Sequence, residues 1–105
     1  MAKIITNNEF KKEVMESSVP VLVDFYADWC GPCKMMAPVM ETLSEEMAGK
    51  VSICKVNVDN DSELASKYKV MSIPTLIIFN NGEVVDKVIG AVPKDALKEK
   101  LQRVV

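Results

Sequence analysis

Apolar residues fall along the chain in short runs that alternate between two periods, and that alternation lays out an order of elements. The run VPVLVDFYA (residues 19–27) is apolar at odd and even positions alike and rich in β-branched side chains. This is the pattern of a strand covered on both faces, so it predicts a central one. VSICKVNV (51–58) predicts a second buried strand, and KII (3–5) a short one. TLIIF (75–79) and EVVDKVIG (83–90) flank Asn80-Asn81-Gly82, a hairpin signal because Asn and Gly accept positive φ.

Between these runs the spacing turns helical. Thr6-Asn7-Asn8-Glu9 has the form of a capping box, predicting a helix to about Ser17 that buries Phe10 and Val14. Met36, Ala37, Met40, Leu43 and Met47 recur at helical spacing and predict a long helix ending near Gly49. Pro38 within it removes the bond to the Lys34 carbonyl, so a kink is expected there. NDSELASKYK (60–69) places Glu63 three residues after Asn60, again a capping pattern, with Leu64 and Tyr68 on one edge. From about Pro93 a last helix turns Leu97, Leu101 and Val104 to the core. The order β-α-β-α-β-α-β-β-α describes an α/β fold, a mixed sheet with helices on both faces. No repeat, low-complexity tract or linker interrupts it, so residues 1–105 read as one domain.

Composition narrows the function classes. At 105 residues and 49% hydrophobic, the chain can bury a core without disulfide staples. Thirteen basic and fifteen acidic residues, in no long run of either sign, give a formal charge of -2. Neither nucleic acid nor an anionic membrane is implied as a partner. MAKIITNNEF lacks a basic leader followed by an apolar stretch, and the longest apolar runs are strand-length. The expectation is a soluble, cytoplasmic protein. Three cysteines (Cys30, Cys33, Cys54) are too few, and odd in number, for a secreted disulfide framework. In a reducing compartment a close pair is catalytic or metal-binding.

That pair sits in Trp29-Cys30-Gly31-Pro32-Cys33-Lys34. A structural zinc site wants four thiolate or imidazole ligands, and the chain has no histidine and one further cysteine. Only a half-site shared between two chains, or a carboxylate as fourth ligand, keeps a metal reading open. A purely structural bridge is a poor staple, because the stabilisation grows with the length of the closed loop. Redox chemistry gives the spacing a mechanical reason. Two intervening residues at the start of a helix put the sulfurs about one turn apart, so they open and close while the helix persists. Cys30 then lies at the positive helix end, where unpartnered N–H groups stabilise a thiolate, and is the nucleophile. Cys33, inside the first turn and expected to be the more buried, resolves the mixed disulfide.

The segments VLVDFYADWCGPCKMMAP, KVNVDND, SIPTLIIFNNGE and VIGAVPKDAL, in this order and spacing, closely resemble the thioredoxin family over essentially the whole chain. The resemblance implies a thioredoxin fold, with a central mixed sheet of about five strands flanked by four helices. It implies a general protein disulfide reductase whose redox-active disulfide is Cys30–Cys33 and which needs no bound cofactor or metal. Asp24 matches the buried aspartate behind the second cysteine, and Lys55 the lysine on the neighbouring strand. Trp29, Gly31, Pro32, Ile73, Pro74, Thr75 and Gly90 match the substrate surface. Pro74 is the cis-proline facing the disulfide, the backbone of Ile73 and Thr75 takes the client chain in extended pairing, and Gly90 leaves room for it. The implied partners are disulfide-containing client proteins and a thioredoxin reductase using NADPH or ferredoxin, with the protein acting as a monomer. Two positions depart from the family pattern. Tyr26 stands where tryptophan is frequent, and Met71-Ser72 where an Arg or Gln and a Gly are frequent.

Plainer roles compete at several positions. Asp24, amid VLVDFYA, is costly to bury as a charge. It is either ion-paired with Lys55 or a carboxyl of raised pKa that takes the proton from Cys33, and the two readings are compatible. Cys54 reads as a small hydrophobe in a buried strand. The methionines of the long helix read as core, with Met35 off the stripe and near the site. Lys94 to Lys100 read as a solvated helix face. An oxidase or isomerase, or a non-catalytic binding subunit using the surface around Trp29, Pro74 and Gly90, are the competing functions. The former tend to carry a histidine between the cysteines and an export signal.

Overall fold

The computed structural model describes residues 1–105. Five strands, β1 (Lys3–Ile4), β2 (Val21–Tyr26), β3 (Ser52–Asn57), β4 (Thr75–Asn80) and β5 (Glu83–Ile89), form one sheet in the order β1-β3-β2-β4-β5. β1 and β2 run parallel to β3, while β4 runs antiparallel to β2 and to β5. The doubly apolar run 19–27 thus supplies the middle strand of a mixed sheet. Four helices complete the fold: α1 (Asn7–Phe10), α2 (Gly31–Glu46), α3 (Ser62–Lys67) and α4 (Lys94–Gln102).

Strand parity divides the core in two. Val21, Val23 and Phe25 join Phe10, Val14, Val56, Leu64, Ile77 and Phe79 on the face covered by α1 and α3. Leu22 joins Met36, Met40, Leu43, Ile53, Leu76, Leu97 and Leu101 on the face covered by α2 and α4. Each fully buried side chain of this size contributes about 1.5–3 kcal/mol, so the helical stripe of α2 and the alternation of β2 select the same packing. Asp24 lies on the strand between Val23 and Phe25, hence with the parity of Leu22, toward the α2 layer.

Two local expectations are corrected. Only Asn7–Phe10 is α-helical; the chain then widens to a π-helical turn, Lys11–Met15, in which the Glu16 N–H reaches back to the Lys11 carbonyl at 2.9 Å. It stops short of Ser17 because that hydroxyl donates to the Val19 carbonyl (2.8 Å) and accepts its N–H (3.2 Å), diverting the backbone. Second, α3 starts after Asp61 rather than Asn60, and Asp61 does not cap its own helix. Its carboxylate accepts the Asn7 N–H at 3.1 Å, filling an orphan donor at the start of α1. The last helix starts where expected, with Pro93 as its N-cap and Leu97 and Leu101 buried, and Val104, just past its end, packs half-buried against the same core. Elsewhere local chemistry holds. The Glu9 carboxylate accepts the Thr6 N–H at 3.0 Å. Asn81 and Gly82, at φ 54° and 78°, make the β4–β5 turn. α2 continues as one helix through Pro38.

Candidate active site

β2 delivers the chain to the carboxyl edge of the sheet, where Ala27-Asp28-Trp29 carry it to Cys30, the N-cap of α2. Cys30 and Cys33 are joined as a disulfide with their Cα atoms 5.2 Å apart. The Cys33 N–H donates to Cys30 Sγ at 3.2 Å, so an otherwise unpartnered donor of the first turn is aimed at that sulfur. A sixteen-residue helix behind it adds its positive end. Ala27, Tyr26, Val58 and Ile73 pack around the pair, and the Ile73 carbonyl oxygen lies 3.8 Å from Cys30 Sγ. Cys33 is not the more buried of the two: both are 4% exposed, because the closed ring shares one apolar cover. Their difference lies in position on the helix end, not in burial.

Asp24 is 0% exposed, and neither carboxylate oxygen has a hydrogen-bond partner. The ion pair with Lys55 expected as one reading is absent. The two residues are register partners on β2 and β3, but the Lys55 ammonium sits over the Tyr26 ring, 4.5 Å from its centroid. The aromatic face holds the cation. Burial pushes the Asp24 pKa up to about 6, and the nearby Lys55 charge opposes that rise without cancelling it. Lys55 and Cys33 meet at one cavity of about 190 Å³, together with Tyr26, Asp28, Lys34 and Ala37.

On the other side of the disulfide, Trp29 is 70% exposed, its indole N–H fixed at 2.9 Å by the Asp59 carboxylate. Asn57, buried at the end of β3, accepts the Asp59 N–H at 2.9 Å and donates to Asp28 at 3.5 Å. Trp29, Val58, Val70, Met71, Ser72 and Ile73 line a mostly apolar hollow of about 400 Å³. The Ile73–Pro74 peptide is cis, and the Pro74 carbonyl accepts the Gly90 N–H at 2.8 Å. Gly90 has φ 95° with open space where a Cβ would stand. Thr75 is buried, its hydroxyl donating to the Ser72 carbonyl at 2.6 Å. Gly31 and Pro32 are exposed in the first turn of α2. Trp29, Cys30, Cys33, Ile73 and Pro74 are therefore brought to one edge. Asn57, Val58, Asp59 and Val70 were not anticipated as site residues; the polar run NVDND after a buried strand was the available signal for the first three.

Cys54 stays outside the site, wholly buried in β3, where burial pushes its thiol pKa up and keeps it protonated. No three Cys, Asp or Glu side chains come together as a metal-ligand set. No helix is long and apolar enough to cross a membrane.

The thioredoxin family model matches residues 1–103. The chain belongs to the thioredoxin family. It is 50% identical over 99 residues to thioredoxin 1 of Nostoc sp., covering 94% of this chain and 92% of that one. It is 50% identical over 103 residues to thioredoxin 1 of Synechococcus elongatus (98% and 96% covered), and 47% identical over 103 residues to a thioredoxin of Rickettsia felis (98% of each). As a thioredoxin-family protein with its Cys30–Cys33 pair at disulfide distance, it is a protein-disulfide oxidoreductase working by dithiol–disulfide exchange.

Proposed function

We propose that Cys30 is the attacking thiolate of a general protein disulfide reductase and Cys33 the resolving thiol. The observation that carries this is the Cys33 N–H aimed at Cys30 Sγ from the open end of α2, a donor that favours negative charge on that sulfur. In the reduced protein the Cys30 thiolate attacks one sulfur of a client disulfide and expels the other as a thiolate. A mixed disulfide forms. The Cys33 thiol, losing its proton, attacks Cys30 Sγ and expels the second client sulfur as a thiolate, so two electrons pass to the client, whose thiolates take their protons from solvent, and the Cys30–Cys33 disulfide closes. Asp24 receives the Cys33 proton: its side chain faces the α2 layer, it is unpartnered, and a pKa of about 6 makes it a usable acceptor near neutrality. Lys55, at the Cys33 cavity, biases that carboxyl toward ionisation. The hollow beside Trp29, the Ile73-Pro74-Thr75 backbone, the Gly31-Pro32 turn and the space at Gly90 receive the client chain.

The working unit in this reading is a monomeric single domain of residues 1–105 in the cytoplasm, acting on disulfide-bearing proteins and without a bound cofactor. A thioredoxin reductase drawing on NADPH or ferredoxin re-reduces it. The test is trapping on insulin, followed on non-reducing gels. Cys33→Ser retains the attacking thiolate and accumulates a stable mixed disulfide, whereas Cys30→Ser accumulates none. Equal trapping by both variants would overturn the assignment of roles.

A further inference from the structure

The segment joining α3 to β4 carries Val70, Met71, Ser72 and Ile73, which line the hollow beside Trp29, and places the Ile73 carbonyl 3.8 Å from Cys30 Sγ. Its shape depends on how its two ends are held. At the far end the Gly90 N–H fixes Pro74 and the Thr75 hydroxyl fixes Ser72. The near end begins irregularly. α3 is six residues long, and just past it Lys69 takes φ 57°, a left-handed conformation that a side chain disfavours. Two carbonyls at this point, those of Tyr68 and Lys69, accept hydrogen bonds from the ammonium of Lys87, each at 3.2 Å. Lys87 stands on β5, opposite Ile77 of β4. Its ammonium makes no ion pair with a carboxylate, unlike those of Lys94 and Lys100. A cation at the carbonyl end of a helix is favourable and is spent here on bracing the backbone.

We propose that Lys87 is a positioning residue for client exchange: it clamps the end of α3 to the outer strand and so fixes where the Val70–Ile73 segment stands relative to Trp29 and Cys30. The inference rests on the client surface proposed above. It makes a specific separation of effects. A protein client must thread between that segment and Trp29, whereas a small disulfide needs only Cys30. Removing the ammonium therefore weakens capture of the protein client and leaves the redox pair itself intact.

The test compares Lys87→Met, which keeps the apolar stem, with Lys87→Arg, which keeps a cationic donor. Insulin and hydroxyethyl disulfide serve as substrates, with dithiothreitol as electron donor. Lys87→Met is expected to raise KM for insulin about fivefold with kcat held within about twofold, and to reduce hydroxyethyl disulfide at the parent rate. Lys87→Arg restores KM. An unchanged insulin KM, even with a lowered Tm, overturns the proposal by making the clamp purely structural. Equal losses on both substrates, or an arginine variant as impaired as the methionine one, overturn it too. If Lys87→Met does not fold, Lys87→Gln, with a neutral donor, takes its place in the same comparison. Trp29→Ala separates the two readings: a raised insulin KM there with a parental KM in Lys87→Met sinks the clamp alone, and an unchanged KM in both sinks the client surface with it.

Discussion

Replacing Asp24 by asparagine tests the electrostatics of the buried carboxyl directly. Its pKa rises from an ordinary 3.8 to about 6 because folding removes it from water and gives its oxygens no hydrogen bond. The folded chain therefore holds that proton more tightly than the unfolded chain. Stability is greatest below the unfolded pKa, falls as pH rises from about 4 to about 6, and levels off above that. At about 1.4 kcal/mol per tenfold difference in proton affinity, the ionised carboxylate costs the folded protein about 3 kcal/mol at pH 7. An amide does not ionise, so oxidised Asp24→Asn keeps its stability across this window and exceeds the parent at pH 7 by up to about 3 kcal/mol. Glu13, Glu46 and Asp86 have pKa values lowered by lysine partners. They act with the opposite sign and in more acid solution, and they cancel in the difference between variant and parent. Urea denaturation of both proteins at pH 4.5 and pH 7.5, with the disulfide closed, measures it. A variant less stable than the parent at both pH values refutes the reasoning and restores an essential Asp24–Lys55 pair. Turnover should move the other way, falling about tenfold or more on insulin as the proton acceptor is lost.

Other substitutions probe the helix end and the hairpin. Pro32→His adds a cationic or hydrogen-bonding group beside a thiolate now stabilised mainly by the terminus of α2; equilibration with glutathione buffers should show a reduction potential raised by at least about 30 mV, the equivalent of about 1.4 kcal/mol. An unchanged or lower potential would mean that the surrounding fold sets the poise. Gly82→Ala should lower stability by about 1–3 kcal/mol in a thermal melt, since the residue sits at φ 78° and the new methyl would meet the Met15 carbonyl oxygen at 3.0 Å. A variant as stable as the parent would show that the hairpin and the end of the π-helical turn relax apart freely.

What the sequence determined by itself is what short-range chemistry decides. The double-sided apolar run of β2, the stripe of Met36, Met40, Leu43 and Met47, the Asn81-Gly82 turn and the Thr6–Glu9 contact each involve residues within a turn or a pleat of one another, so pattern alone specifies them. The Cys30–Cys33 spacing at a helix start belongs to the same class, and so the redox pair was legible. Tertiary structure decided the partners of charged and polar groups that span many residues. Lys55 rests on Tyr26 and not on Asp24, Asp61 serves α1 and not its own helix, Asp59 orients Trp29, and Lys87 reaches the end of α3. Each such group had several partners within the reach of a flexible side chain, and only the packed backbone, by setting which one lies within about 3 Å, makes the choice. The equal burial of the two cysteines has the same origin, because the cover over them comes from Ile73 and Val58, on segments distant in the chain.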